Sequence, residues 1–214
     1  MINSSSQKEK VYLFLTEQLR NGELQKKDKL SEQYFAEKLN ISRTPVREAL
    51  FQLAADGILE HTPRKGFKIK EITEKNREDI YELIGTLDGK SAFLAGPHLT
   101  ESDFKHMQFL IETMNSAIKN ELYTKYNELQ REFHNVYQSK CQNDLIFENL
   151  EKYNRFFIDE NYNINSSQIQ EILYKTNSEH QKILDYFIAG DFITLREFIE
   201  KIHWRIEGAK YDTW

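Results

Sequence analysis

The chain has 214 residues, of which 39% are hydrophobic, 13% aromatic and 29% charged, and its mean hydropathy is -0.69. This is enough apolar material for one large or two ordinary domains. No run of 18 apolar residues exists and Met1–Lys10 is polar, which excludes a spanning helix and a secretory leader and points to a cytoplasmic protein. A single cysteine, Cys141, gives no internal disulfide framework and reads as a small packed side chain in a reducing compartment. The net charge of -5 argues against a general nucleic-acid binder, yet it is unevenly spread. Residues 1–72 carry 13 Lys+Arg against 10 Asp+Glu, whereas residues 73–214 carry 16 against 24. A mildly basic front and an acidic back suit a DNA-binding module joined to a separate soluble domain.

In chain order, Val11, Phe14, Leu15 and Leu19 have helical spacing, and Asn21-Gly22 ends that helix. A second helix opens at the cap Ser31 and runs to Asn40. The third runs from about Arg43 to Asp56, with Gly57 as its stop. Its start, Ser42-Arg43-Thr44-Pro45-Val46-Arg47, is the most informative stretch of the chain. Ser42 and Thr44 are candidate N-caps, and Pro45 is tolerated because first-turn amides lack intrahelical partners. Arg43 and Arg47 project from one face at the positive end of the helix dipole, where cations are disfavoured. That placement suggests a polyanion, as when a recognition helix enters a DNA major groove. Two strand-like segments follow, Ile58–His61 and Phe67–Lys70, joined by a turn over Thr62–Gly66. Three helices and a hairpin with a basic tip make a winged helix-turn-helix.

From Thr73 onward the pattern is helical, with six helices near 74–95, 101–120, 123–141, 144–160, 167–189 and 192–209. Thr100 and Asp103 form a capping-box pattern, and Asn143 and Asp191 stand at cap positions. Gly85 and Gly89 are spaced for a close helix–helix approach, and Asn161–Ser166 reads as a loop. The fold class is therefore mainly α: an N-terminal winged helix-turn-helix (1–72), then an all-α antiparallel bundle of about six helices (73–214).

The run Leu30-Ser31-Glu32, Ala36–Leu50, Asp56–Leu59 and Pro63–Phe67 closely resembles the GntR family of bacterial transcriptional regulators. The helical remainder is similar to the effector domain of the FadR subfamily, in its metal-binding variant. The resemblance implies DNA contacts at Gln33, Ser42, Arg43, Thr44, Arg47, Lys65 and Gly66, with Arg64 added at the wing tip. Arg43 or Arg47 would read guanine edges, and the hydroxyls would meet phosphates or bases.

In that variant one helix carries Asp-x-x-x-His and two later helices each give a His. The matching positions are Gln130 and His134, then His180 and His203. Three neutral imidazoles suit Zn²⁺ or a similar divalent metal, with open positions for water or an effector carboxylate. Gln130 stands where the family has Asp, and its carbonyl ligates weakly and brings no charge. Ile84 stands where many relatives have an arginine. The remaining histidines, His61, His98 and His106, read as structural. The implied function is a homodimeric DNA-binding regulator, a repressor rather than an activator, that binds a palindromic operator and a small organic acid. The alternatives are a metal-sensing regulator and a three-histidine metalloenzyme.

Overall fold

The structure, a computed structural model, describes residues 4–21, 23–25, 27–156 and 166–210. These fall into two compact units. One holds the chain up to Thr73 together with Arg155 and Phe156; the other runs from Glu74 to Asn154 and resumes in the later helices.

The first unit is built from α1 (Ser4–Arg20), α2 (Glu32–Leu39), α3 (Arg43–Ala55), β1 (Leu59–Thr62) and β2 (Gly66–Ile69). Ser31 caps α2 by accepting from the Tyr34 amide at 3.1 Å, and Asn40 ends it in a left-handed conformation, the usual exit for a short polar residue. Val46, Ala49, Leu50 and Leu53 line one face of α3 and pack with Val11 and Leu15 of α1 and Phe35 of α2. Truncating such a leucine costs about 2–5 kcal/mol through lost burial and the cavity left behind. The strands pair antiparallel, Leu59 opposite Ile69 and Thr62 opposite Gly66, and Leu30 makes an isolated antiparallel bridge to Phe67 of β2. Gly66 is required internally. Its φ is +89°, and a Cβ there would stand 3.2 Å from the Leu30 carbonyl oxygen. The family resemblance implied only a DNA contact at this position. Phe51, His61 and Phe67 form an aromatic cluster with centroids 4.7–5.1 Å apart, which accounts for His61 as a packing residue.

The second unit contains α4 (Glu74–Ala95), α5 (Glu101–Lys119), α6 (Tyr123–Gln138), α7 (Asp144–Asn154), α8 (Ser166–Ala189) and α9 (Phe192–Phe198). Helix α5 packs on α6 and α8, while α4 packs on α6, α7 and α9. The Thr100–Asp103 capping box is formed, Asp191 caps α9, and the Asn143 side chain accepts from the Ile146 amide at 3.1 Å. The helix expected over 144–160 ends earlier, at Asn154, and gives way to a turn at Arg155-Phe156. Most of the loop expected at Asn161–Ser166 lies outside the described residues.

The last expected helix is corrected as well. The continuous helix drawn over 192–209 is instead α9, a π-helical turn over Ile199–His203, a bend at Trp204-Arg205 and a 3₁₀ turn over Ile206–Lys210. The Trp204 amide donates to the Ile199 carbonyl, five residues back. No Gly or Pro marks the break, because its causes are tertiary. Trp204 and Arg205 are held by side chains of α4 and α8. The turn and Trp204 seat against Gly85 and α9 seats against Gly89, where added Cβ atoms would lie 2.9 Å from Trp204 Cβ and 2.8 Å from the Arg196 carbonyl oxygen. A π turn of this kind shifts the helical register by one residue and is frequent at functional sites.

Candidate nucleic-acid interface and candidate metal centre

In the first unit, Ser42 occupies the N-cap position of α3 but makes no capping bond with its side chain. Ser42, Arg43, Thr44 and Arg47 are all exposed on the first turns of that helix. Gln33 is exposed on α2 with its amide donating to Glu37 at 2.8 Å. Arg64 and Lys65 are exposed at the hairpin tip, Arg64 with a φ of +63°.

The charge problem at the start of α3 has a local answer that the sequence reading missed. Glu32, the first residue of α2, accepts from Arg47 Nε at 2.8 Å and lies 3.5 Å from an Arg43 terminal nitrogen. The hydrogen bond from Arg47 holds the Glu32 carboxyl below its ordinary range, and the same bond raises Arg47 further. Both arginines remain more than half exposed, so this pairing is weak and readily exchanged for phosphate or base contacts. Its effect is to hold two long side chains over one patch.

In the second unit, His134 on α6, His180 on α8 and His203 on the π turn are brought together. One ring nitrogen from each lies within 4.8 Å of the others, and all three residues are buried. On α8 the positions Leu173, Asn177, His180 and Leu184 fall on one buried face, the i, i+4, i+7 rhythm of a core-facing helix. Gln130, one turn before His134, is half-buried, and Ile84 is fully buried in the core.

The outer nitrogen of every ring faces an acceptor. His134 Nδ1 lies 3.1 Å from Asp88 Oδ2, His203 Nδ1 lies 3.2 Å from Glu179 Oε2, and His180 Nδ1 lies 3.2 Å from Asn177 Oδ1. Asn177 uses its amide group to donate to the Ile111 carbonyl and to Asn115 Oδ1, so its oxygen is the side turned to His180. Carboxylate and carbonyl oxygens accept only, so each Nδ1 carries the proton and each Nε2 is left as a bare lone pair. His180 Nε2 is buried without a partner, and the Nε2 atoms of His134 and His203 face each other at 3.2 Å. Two bare lone pairs at that distance repel unless a cation lies between them. Two nitrogens on a tetrahedral zinc stand about 3.3 Å apart for bond lengths near 2.05 Å. Burial, then the proximity of the His203 and His134 rings, pushes His180 well below the usual imidazole range. His203 is lowered mainly by burial, against the opposing pull of Glu179. Both are therefore held in the neutral form that ligates metal.

Several contributors lay outside the sequence reading. Asp88 on α4 is fully buried and accepts from Gln138 Nε2 at 2.7 Å, Trp204 Nε1 at 2.8 Å and the Tyr137 hydroxyl at 2.9 Å. Burial pushes its carboxyl up, but the interaction with His134 and the hydrogen bonds from Gln138 and Trp204 outweigh that and hold it below its ordinary range. Burial and the Asp88 charge raise the Tyr137 phenol well above its ordinary value. Glu179 pairs with Arg205 at 2.6 Å as well as with His203. Only an acidic residue within an otherwise apolar α4 stripe could have signalled Asp88. His98 falls in a 3₁₀ turn and His106 pairs with Glu132 at the surface, both apart from the cluster.

Residues 7–69 match the family described as bacterial regulatory proteins, gntR family, and residues 79–202 match the FCD domain, more than half of the chain. The chain is a gntR-family protein with an FCD domain. Its relatives include the HTH-type transcriptional regulator YdhC of Bacillus subtilis, 28% identical over 126 residues that cover 58% of this chain and 56% of the relative. McbR of Escherichia coli, also an HTH-type transcriptional regulator, is 32% identical over 103 residues, 48% of this chain and 47% of its own length. The chain thus spans about half the length of the curated relatives it matches. The solved structure of E. coli McbR/YncC shares the fold, with a TM-score of 0.77 at 23% identity over 95% of this chain and 94% of that one. These families and relatives are transcriptional regulators rather than enzymes, so the three-histidine metalloenzyme reading falls away. In this gntR-family chain no described helix is long and apolar enough to cross a membrane.

Proposed function

We propose that the protein is a DNA-binding transcriptional regulator, acting in the cytoplasm as a homodimeric repressor, whose FCD domain binds a divalent metal and through it a small organic acid. The observation that carries the DNA reading is the exposed set Ser42, Arg43, Thr44 and Arg47 at the start of α3, inside the segment that matches the gntR family. Arg43 and Arg47 would read base edges in the major groove, Gln33 would join them from α2, and Arg64, Lys65 and Gly66 would follow the backbone with the wing. Two copies on one dimer would read a palindrome.

The three bare imidazole nitrogens support the metal reading. His134, His180 and His203 would hold the ion, which would supply a Lewis-acidic point for a carboxylate oxygen. Gln130 would add at most a weak neutral ligand. Effector binding would alter DNA affinity only by the difference in its affinity for the two dimer arrangements.

Electrophoretic mobility shift of the full chain on promoter fragments tests the DNA reading. A shifted fragment competed by itself but not by random DNA supports it, and binding to none at low salt refutes it. A second reading, in which the metal itself is the signal, rests on the same nitrogens. It requires operator affinity to change with metal alone, with no organic acid present.

A further inference from the structure

The frame around the three histidines contains a carboxylate with no Lys or Arg partner among the described residues. Glu179, the other acid in contact with a ring, is engaged by Arg205 at 2.6 Å, so much of its charge is already answered. Asp88 is instead surrounded by neutral donors, Gln138, Tyr137 and Trp204, and by the His134 ring. A fully buried carboxylate is retained only where donors and an opposite charge together offset its lost hydration. The donors come from α6 and the residue following the π turn, the two elements that carry His134 and His203. The opposite charge has one route of approach, through the imidazole of His134 to whatever its Nε2 faces.

We propose that Asp88 is the positioning carboxylate of the metal centre, fixing His134 with Nδ1 protonated and Nε2 bare and supplying the negative charge that Gln130 does not bring. This rests on the metal reading above. Three neutral imidazoles leave the charge of a divalent ion unanswered in a buried site. Asp88 answers it one shell out, in a carboxylate–histidine–metal relay that also makes the ring a stronger donor. Tyr137 reinforces the relay, since its hydroxyl donates to Asp88 Oδ2 while its oxygen lies 2.6 Å from His134 Nδ1. Removing the charge from the inner shell also leaves a coordination position for an incoming oxygen ligand.

The test compares the full-length wild type with Asp88→Asn and Tyr137→Phe, using Zn²⁺ titrated against a chromophoric chelator and Co²⁺ as a spectroscopic probe. Asp88→Asn is expected to lower affinity about ten- to a hundredfold and to alter the Co²⁺ absorption envelope, while Tyr137→Phe, which removes one donor but keeps the carboxylate, is expected to lose at least about threefold less. Equal losses in both variants, or Asp88→Asn within threefold of wild type, overturn the proposal. Should Asp88→Asn fail to fold, ¹⁵N NMR of the wild type reads the His134 tautomer directly. An Nδ1-protonated ring is expected, and an Nε2-protonated ring overturns the assignment. A wild-type protein that takes up neither ion removes the metal reading itself, whereas the variant results bear on Asp88 alone.

Discussion

Replacing Gly89 with alanine tests whether the backbone of α4 truly seats the segment that delivers His203. Alanine is the better helix former, and by propensity alone the change should stabilise α4 by about 0.8–1 kcal/mol. Against this, the new Cβ would lie 2.8 Å from the Arg196 carbonyl oxygen and 3.4 Å from Arg196 Cγ. Ordinary carbon–oxygen contact requires α9 to retreat by roughly half an ångström, and forcing a methyl group into packed structure costs about 1–3 kcal/mol. The clash outweighs the propensity gain, for a net loss of about 1 kcal/mol. The displacement also propagates, because α9 runs directly into the π turn that carries His203. Metal bond lengths tolerate only about 0.2 Å, so zinc affinity should fall together with stability. Urea unfolding of the apoprotein and chelator competition measure the two effects separately. A Gly89→Ala protein more stable than wild type by about 1 kcal/mol, with unchanged zinc affinity, would refute the close-approach argument.

Other outcomes follow from the same geometry. Arg47→Ala, and separately Arg43→Ala, should weaken binding to a selected operator about ten- to a hundredfold in fluorescence anisotropy, with a smaller loss on random DNA; equal losses on both would make that side chain a phosphate contact. His180→Ala removes the buried nitrogen that has no hydrogen-bond partner, and should abolish stoichiometric zinc by elemental analysis while leaving DNA binding at low salt intact. At Asp103, burial pushes the carboxyl up, but hydrogen bonds from Lys140 and Thr100 prevail and hold it at about 2, below its ordinary 3.8. A depressed acid contributes stability above the unfolded value and loses it as pH falls through the folded one. The stability gap between wild type and Asp103→Asn should therefore be constant from neutrality to about pH 4 and shrink toward pH 2; a gap that widens on acidification would contradict the assignment.

The first unit was legible because its information is local. The Ser42–Arg47 run, the Gly57 stop and the turn before Gly66 each act within a few residues, and the elements formed within a residue or two of their expected ends. Glu32 escaped notice because its partners are 11 and 15 residues away, on a different helix. In the second unit the helix spans could be read from period and caps, and the histidines from the resemblance. The surroundings of the histidines could not. Asp88, Asn177 and Glu179 acquire their roles only when α4, α6 and α8 pack together. Gly85 and Gly89 announced a close approach without naming its partner. The π turn had no local signature, because it arises from the bonds that Trp204 and Arg205 make to distant acids.

The central claim is that α3 and the wing read a specific DNA sequence under control of the FCD domain. Fluorescence anisotropy of the full-length, zinc-loaded chain on fragments from its own promoter region, at about 150 mM salt, tests it most directly. The account predicts one palindromic fragment bound at least about a thousandfold more tightly than random DNA, with that preference lost in Arg43→Ala/Arg47→Ala. Uniform affinity for all fragments, unchanged by the double substitution, would contradict it.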